Sequence, residues 1–288
     1  MNNARLLFIH ALSPLHAGTG QGVGVIDLPI AREKATNLPY LPGSSLKGPL
    51  REACPAESRT KIFGPETANA SDHAGSAQFS DQRLLLLPVR SLAGTFAWVT
   101  SPIILARFAR DAADAGQTNL PALAPLRPAT PESCIVASAS AAITLPGATG
   151  RQVILEDLDL NATADPAAGQ WATWLGSCIF AHDPDWQAML ADRLCIVHDD
   201  VLAFLLTTAT EVIARVRLLP DTKTVAQGGL WYEEALPAVS ILAGLLVATP
   251  IKATVAEVFA VIGGLTGGTM QLGGKATVGR GLCRTQLV

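Results

Sequence analysis

The run "EVIARVRLLPDTKTVAQGGLWYEEALPAVSILAGLLVA", residues 211–248, constrains the fold more than any other stretch. Two arms rich in β-branched and aromatic residues flank "LPDTKTVAQGG", whose Pro, Asp, Thr and Gly favour a turn. A long β-hairpin follows, and hairpins need antiparallel neighbours. "ARLLFIHALSPLHAG" predicts a first strand ended by Ser-Pro, and "QRLLLLPVRS" and "GTFAWVTSP" predict two more. "SPIILARFARDAADAG", "HDPDWQAMLADRL", "DDVLAFLLTTAT" and "TVAEVFAVIGGLTGG" read as helices, with Ser-Pro, Asp or Thr at their starts. "FGPETANASDHAGSAQFSD" is polar and small enough to be a loop. Strands and helices mix without strict alternation, so the class is α+β rather than a doubly wound sheet. Residues 117–170 are Pro- and Ala-rich with weak periodicity and read as a peripheral insertion.

Composition limits the function. The 288 residues are 49% apolar and only 16% charged, enough for a large core; so little charge fits either a surface partly covered by other subunits or a merely Ala-rich, apolar-biased proteome. A net charge of −3 excludes broad electrostatic wrapping of nucleic acid, so any such contact must be local. Basic residues do cluster: Arg32, Lys34, Lys47 and Arg51, then Arg215, Arg217 and Lys223, then Lys275, Arg280 and Arg284. Cys54, Cys134, Cys178, Cys195 and Cys283 are widely spaced with no C-x-x-C, as expected of buried thiols in the cytoplasm. No 18-residue apolar run suggests a membrane span, and the N-terminus lacks the apolar core of a signal peptide.

Several motifs carry chemistry. "LPGSSLKGPLREA", 41–53, joins a Pro-Gly turn to Ser44 and Ser45 as capping residues, with Lys47 in the first helical turn. Helix starts attract anions through unpaired N–H groups and the macrodipole. "GTGQGVG", 18–24, is followed by no helix and so is no dinucleotide fingerprint; its glycines deliver Asp27 close in sequence to Arg32 and Lys34. A carboxylate there suits acid–base work, metal holding or a plain surface ion pair. His16 stands just ahead of that loop and reads first as a hydrogen-bonded structural residue. The C-terminal "LGGKATVGRG" fails as a P-loop, with Thr269 and Ala276 where Gly and Ser or Thr are needed. It remains a donor-rich loop carrying Gly274, Lys275 and Arg280, equally suited to a phosphate chain or a tight turn. In "WYEEALP", 231–237, Tyr232 and its neighbours either stack on bases or pack on the core, beside Glu233 and Glu234. No H-E-x-x-H, nucleophile elbow or metal-spaced His/Cys set occurs. Carboxylate, imidazole and cations around a backbone-hugging loop fit phosphodiester cleavage better than acyl transfer or redox chemistry.

In order and spacing, "LSPLHAGTGQGVGVIDLPIARE", "LPYLPGSSLKGPLRE", "DQRLLLLPVRSLAGTFAWVTSP", "RVRLLPDTKTVAQGGLWYEEALP" and "LGGKATVGRGLCR" resemble the RAMP-superfamily backbone subunits of type III-B CRISPR (Cmr) effector complexes. The resemblance covers most of the chain except 117–195. It implies a single domain over 1–288: a modified ferredoxin-like (RRM-like) palm with an extended thumb hairpin at 215–237 and peripheral insertions, chiefly 117–195. It implies copies stacked along a CRISPR guide RNA with other Cmr-complex subunits, cutting paired target RNA at regular intervals in antiviral defence. The family's catalytic acid falls on Asp27 and its first-motif histidine on His16, with Tyr232, Glu233 and Glu234 in support. Guide contacts fall on Ser44, Ser45, Lys47, Arg51, Gly274, Lys275 and Arg280, and Arg32, Arg215 and Arg217 join the RNA-binding set. A divalent cation such as Mg2+ would sit at Asp27, shared with RNA because no multi-carboxylate site is evident. Two other readings stay open: a guide-binding scaffold that does not cut, and a metal-independent, His-centred endonuclease processing CRISPR precursor RNA. One residue departs from the pattern. Pro49 follows Gly48 where relatives carry a small non-proline; with Ser45 as N-cap it forfeits the first intrahelical bond. Moving the cap to Lys47 or Gly48 would relieve this and shift the anion site.

Overall fold

The computed structural model describes residues 3–288 except 21, 23, 70 and 149, and leaves the Thr67 side chain undescribed. The N-terminal apolar run forms β1 (Ala4–Ala11), nearly all of it buried. The Gly-rich passage leads to β2 (Tyr40–Leu41), α1 (Gly43–Ala53) and α2 (Ala56–Phe63). β3 (Ala77–Phe79), β4 (Gln82–Arg90) and β5 (Phe96–Thr100) follow, then α3 (Pro102–Asp114), which has Pro at its first turn and an apolar face of Ile104, Leu105 and Phe108. Pro at that position costs no hydrogen bond, because the first N–H groups of a helix have no partner within it.

The segment 117–195 is not peripheral in its packing. It supplies β6 (Ser133–Val136), β7 (Leu145–Gly147), β8 (Gly150–Leu155), β9 (Leu158–Ala164), α4 (Pro166–Ile179) and α5 (Pro184–Arg193), and runs into β10 (Leu194–Val197). β10 pairs parallel to β5 and antiparallel to β6, so these strands extend the main sheet. Trp171 of α4 is fully buried and packs edge-on to Phe108 of α3. The weak periodicity has a physical cause: α4 buries Ala167, Ala168, Trp171, Ala172, Leu175 and Gly176, a face of mostly small residues.

α6 (Asp199–Thr208) leads into the hairpin, β11 (Glu211–Leu218) and β12 (Val225–Ala235), which forms a two-stranded sheet of its own. The turn is shorter than the sequence suggests, since Leu218 already pairs with Val225. The second predicted arm divides: β12 belongs to the hairpin, whereas β13 (Ile241–Ala248) lies in the main sheet between β1 and β4. Trp98 of β5 donates its indole N–H to the Val239 carbonyl at 2.8 Å and fixes that corner. α7 (Val255–Leu265) starts on a capping box of Thr254 and Glu257, and β14 (Thr269–Gln271) and β15 (Leu282–Leu287) close the sheet beside β1. Among the described residues the sheet has thirteen strands, mixed in direction, and the architecture is α+β as expected.

His10, near the C-terminal end of β1, is buried with both ring nitrogens unpartnered, between Phe180 and Trp186 and opposite Arg284. Burial, with help from the Arg284 charge, pushes its pKa down to about 4. The fold therefore holds His10 neutral, while the unfolded chain takes up a proton below pH 6.5. Stability is fully present above that pH and falls as pH drops towards 4, by roughly 3 kcal/mol at most. Denaturant titrations at stepped pH should show this loss in the wild type, and His10→Leu should remove that share of it.

Candidate nucleic-acid interface and cutting site

The Gly-rich passage, α1 and the C-terminal Gly loop meet at the base of the hairpin, and main-chain bonds hold them there. Leu15 pairs with Leu236, and Gly274 N–H donates to the His16 carbonyl at 2.9 Å. Leu28 lies parallel to the hairpin, its N–H on the Tyr232 carbonyl (3.0 Å) and its carbonyl on the Glu234 N–H (3.0 Å). Gly273 shows why glycine is needed: at φ +71° a Cβ would lie 2.5 Å from the His16 carbonyl oxygen.

Two open clefts result. One, of about 510 Å3, is lined by His16, Gly18, Ser45, Pro49, Gly274 and others. The second, of about 420 Å3, lies between Asp27 and Gly22 on one side and Gly228, Leu230 and Trp231 of the hairpin on the other. Leu28 and Lys275 line both. Asp27 is exposed, and its Oδ2 accepts the Tyr232 main-chain N–H at 2.8 Å. That bond fixes the carboxylate against β12 although its own loop has no regular structure.

The other acids lie behind this surface. Glu234 is buried and accepts from Ile30 N–H (3.1 Å), Thr210 Oγ1 (3.0 Å) and the Arg32 guanidinium (2.5 Å). Its carbonyl accepts from His16 Nδ1 at 2.6 Å. A carbonyl can only accept, so Nδ1 carries the proton. His16 is itself buried, with its Nε2 edge against Gly18, and ties the Gly-rich passage to the hairpin. Glu233 is buried too: its Oε1 accepts from Trp231 Nε1 (2.7 Å) and Lys275 Nζ (2.9 Å), and its Oε2 from Arg215 Nε (3.3 Å). Burial pushes its pKa up, but the indole, the ammonium and Arg215 together outweigh that and hold it below the usual carboxylate value.

The cations divide into two sets. Arg32 reaches the Leu206 and Asn37 carbonyls as well as Glu234, Arg51 reaches the Gly64 carbonyl and Glu66, and buried Arg280 pairs with Glu211 at 3.0 Å. These three guanidiniums brace the fold. Ser45, Gly274 and Lys275 line the cleft, while Ser44 and Arg217 are exposed and Lys47 and Arg215 half-buried.

The start of α1 differs from the expected register. The N-cap is Pro42, not Ser45, and no side chain of the segment caps it. Asp81 does so from across the sheet, accepting the Gly43 N–H at 2.9 Å. Its charge already answers the helix dipole at this end of α1. Pro49 is the seventh helical residue and has no N–H to give the Ser45 carbonyl, at the cleft wall.

The sequence profile of the RAMP superfamily matches residues 8–284. The chain belongs to the RAMP superfamily. Within it, the CRISPR system Cmr endoribonuclease Cmr4 of Pyrococcus furiosus is 36% identical over 292 residues, spanning 99% of this chain and 95% of its own. The crystal structure of oligomeric Cmr4 from P. furiosus superposes with a TM-score of 0.75 at 29% identity, over 99% of this chain and 97% of that one. A subunit of the type III-B Cmr-beta complex bound to cognate target RNA shares the fold, with a TM-score of 0.74 at 22% identity over 99% and 96% of the two chains. Among the described residues, no group of three or more His, Cys, Asp and Glu side chains could hold a metal, and no helix is long and apolar enough to cross a membrane.

Proposed function

We propose that this RAMP-superfamily chain is a backbone subunit of a type III-B CRISPR effector complex, acting in the cytoplasm. Copies stack along the guide RNA together with other subunits, and each cuts the paired target RNA once, giving regular intervals. Asp27 carries this reading: a fixed, solvent-facing carboxylate at the root of an extended hairpin, in a chain 36% identical to a Cmr endoribonuclease. The guide backbone lies along Ser44, Ser45, Lys47 and Gly274, where contacts to phosphate are independent of sequence. The net charge of −3 is no obstacle, because each copy covers few nucleotides.

The cut is an in-line displacement. The ribose 2′-oxygen attacks the adjacent phosphorus, the O2′–P bond forms and the P–O5′ bond breaks. Asp27 takes the 2′-hydroxyl proton on Oδ1, the oxygen left free by the Tyr232 N–H, and water protonates the departing 5′-oxygen. The products are a 2′,3′-cyclic phosphate and a 5′-hydroxyl. Attack requires alignment of O2′, phosphorus and O5′, and the hairpin beside Asp27 supplies it by interrupting the paired strand. One carboxylate is enough for Mg2+ only together with phosphate and water ligands. Asp27 would hold such an ion jointly with RNA, where it would screen phosphate charge.

A target with 2′-deoxyribose at one scissile nucleotide should lose that cut alone and keep the others. An equal rate at the deoxy position would overturn the 2′-oxygen mechanism. No cut in an all-ribose target would leave a scaffold that only holds RNA.

A further inference from the structure

We infer that Lys275 is a catalytic residue of the cutting cleft, presented by Glu233 to the non-bridging oxygens of the scissile phosphate beside Asp27. The inference rests on the function proposed above, which gives Lys275 no part in the cut.

Three observations carry it. Lys275 lines the Asp27 cleft as well as the cleft beside α1, so one residue borders both. Its backbone sits in the left-handed region (φ +68°, ψ +30°), two residues after Gly273 at φ +71°. Glycine occupies that region without strain and a side chain does not, so the position bears a backbone cost for the sake of its side chain. Finally, its Nζ is held rather than free, 2.9 Å from Glu233 Oε1, while about a third of the side chain stays exposed.

The hydrogen-bond chemistry lets this hold persist during the reaction. An ammonium has three donors, of which Glu233 takes one, leaving two for a phosphate. Should Lys275 move away altogether, Glu233 keeps Trp231 and Arg215, so no buried carboxylate is stranded. In-line attack adds negative charge to the phosphate oxygens, and a cation fixed beforehand stabilises that charge more than the ground state. Glu233 is then a positioning residue. The Gly274 N–H bond to His16 holds the loop to the same frame.

The test uses the complex assembled with guide RNA, under single-turnover conditions with guide and target saturating. Lys275→Gly is the informative variant, because glycine suits φ +68° and the melting temperature should not fall. The cutting rate should drop about 100-fold, with target affinity changed less than about threefold, and Lys275→Arg should recover part of the rate. Glu233→Gln should slow the wild type about tenfold and add nothing in the Lys275→Gly background. A Lys275→Gly complex that binds guide more weakly yet cuts at the wild-type rate once saturated would make Lys275 a guide contact only. Equal losses from Glu233→Gln in both backgrounds would make Glu233 structural and overturn the positioning role. Asp27→Ala run in parallel separates the two claims: if it cuts normally the proposed site fails, whereas if it is silent and Lys275→Gly cuts, only this inference fails.

Discussion

Asp27→Asn is expected to slow target cutting by about 10²- to 10⁴-fold while target binding is kept, the range general-base removal usually spans. The asparagine carbonyl can still accept the Tyr232 N–H that now reaches Oδ2 at 2.8 Å, so the loop keeps its place on β12. Only the charge and the proton-accepting oxygen are lost. Single-turnover rates and target affinities on the assembled complex measure the two effects separately. A variant that cuts within about threefold of wild type would remove Asp27 from the chemistry, because no other described residue lining that cleft offers a carboxylate.

Glu234→Ala should destabilise the chain by about 3 kcal/mol, the lower end of what breaking a buried ion pair costs. Glu234 is only 3% exposed, and its loss takes the countercharge from Arg32 and the acceptor from the Ile30 N–H and the Thr210 hydroxyl. The damage spreads along 27–32, because that segment is tied to the hairpin through Glu234 and Leu28. Glu234→Gln should cost much less, since an amide still accepts from Arg32. Denaturant midpoints at unchanged slope give both values; a loss below about 1 kcal/mol for the alanine variant would show that Arg32 finds other partners, such as the Leu206 carbonyl it already touches.

The sequence was most readable where local chemistry decides the structure. β1, β4, β5, α3 and the hairpin follow from short apolar and β-branched runs, Ser-Pro starts and turn residues. Asp183 caps α5 through the Trp186 N–H, as its Asp-Pro signature suggests. The failures at the candidate site are mostly long-range. Nothing near Gly43 announces that Asp81 caps α1, because that bond spans 38 residues. Arg32, Arg51 and Arg280 resemble RNA contacts in a basic cluster, and only the fold shows Glu234, Glu66 and Glu211 against them. The sequence singled out both His16 and Glu234, but not that the proton on one points to the carbonyl of the other. Trp231, one of the aromatics weighed for stacking, bonds Glu233 and lines the cleft.

Mapping both ends of the fragments released from a labelled target by the reconstituted complex tests the central claim most directly. Evenly spaced cuts, each leaving a 2′,3′-cyclic phosphate on one fragment and a 5′-hydroxyl on the next, are the result this account predicts. Cuts without regular spacing, or regular cuts leaving 3′-hydroxyl and 5′-phosphate ends, would contradict it.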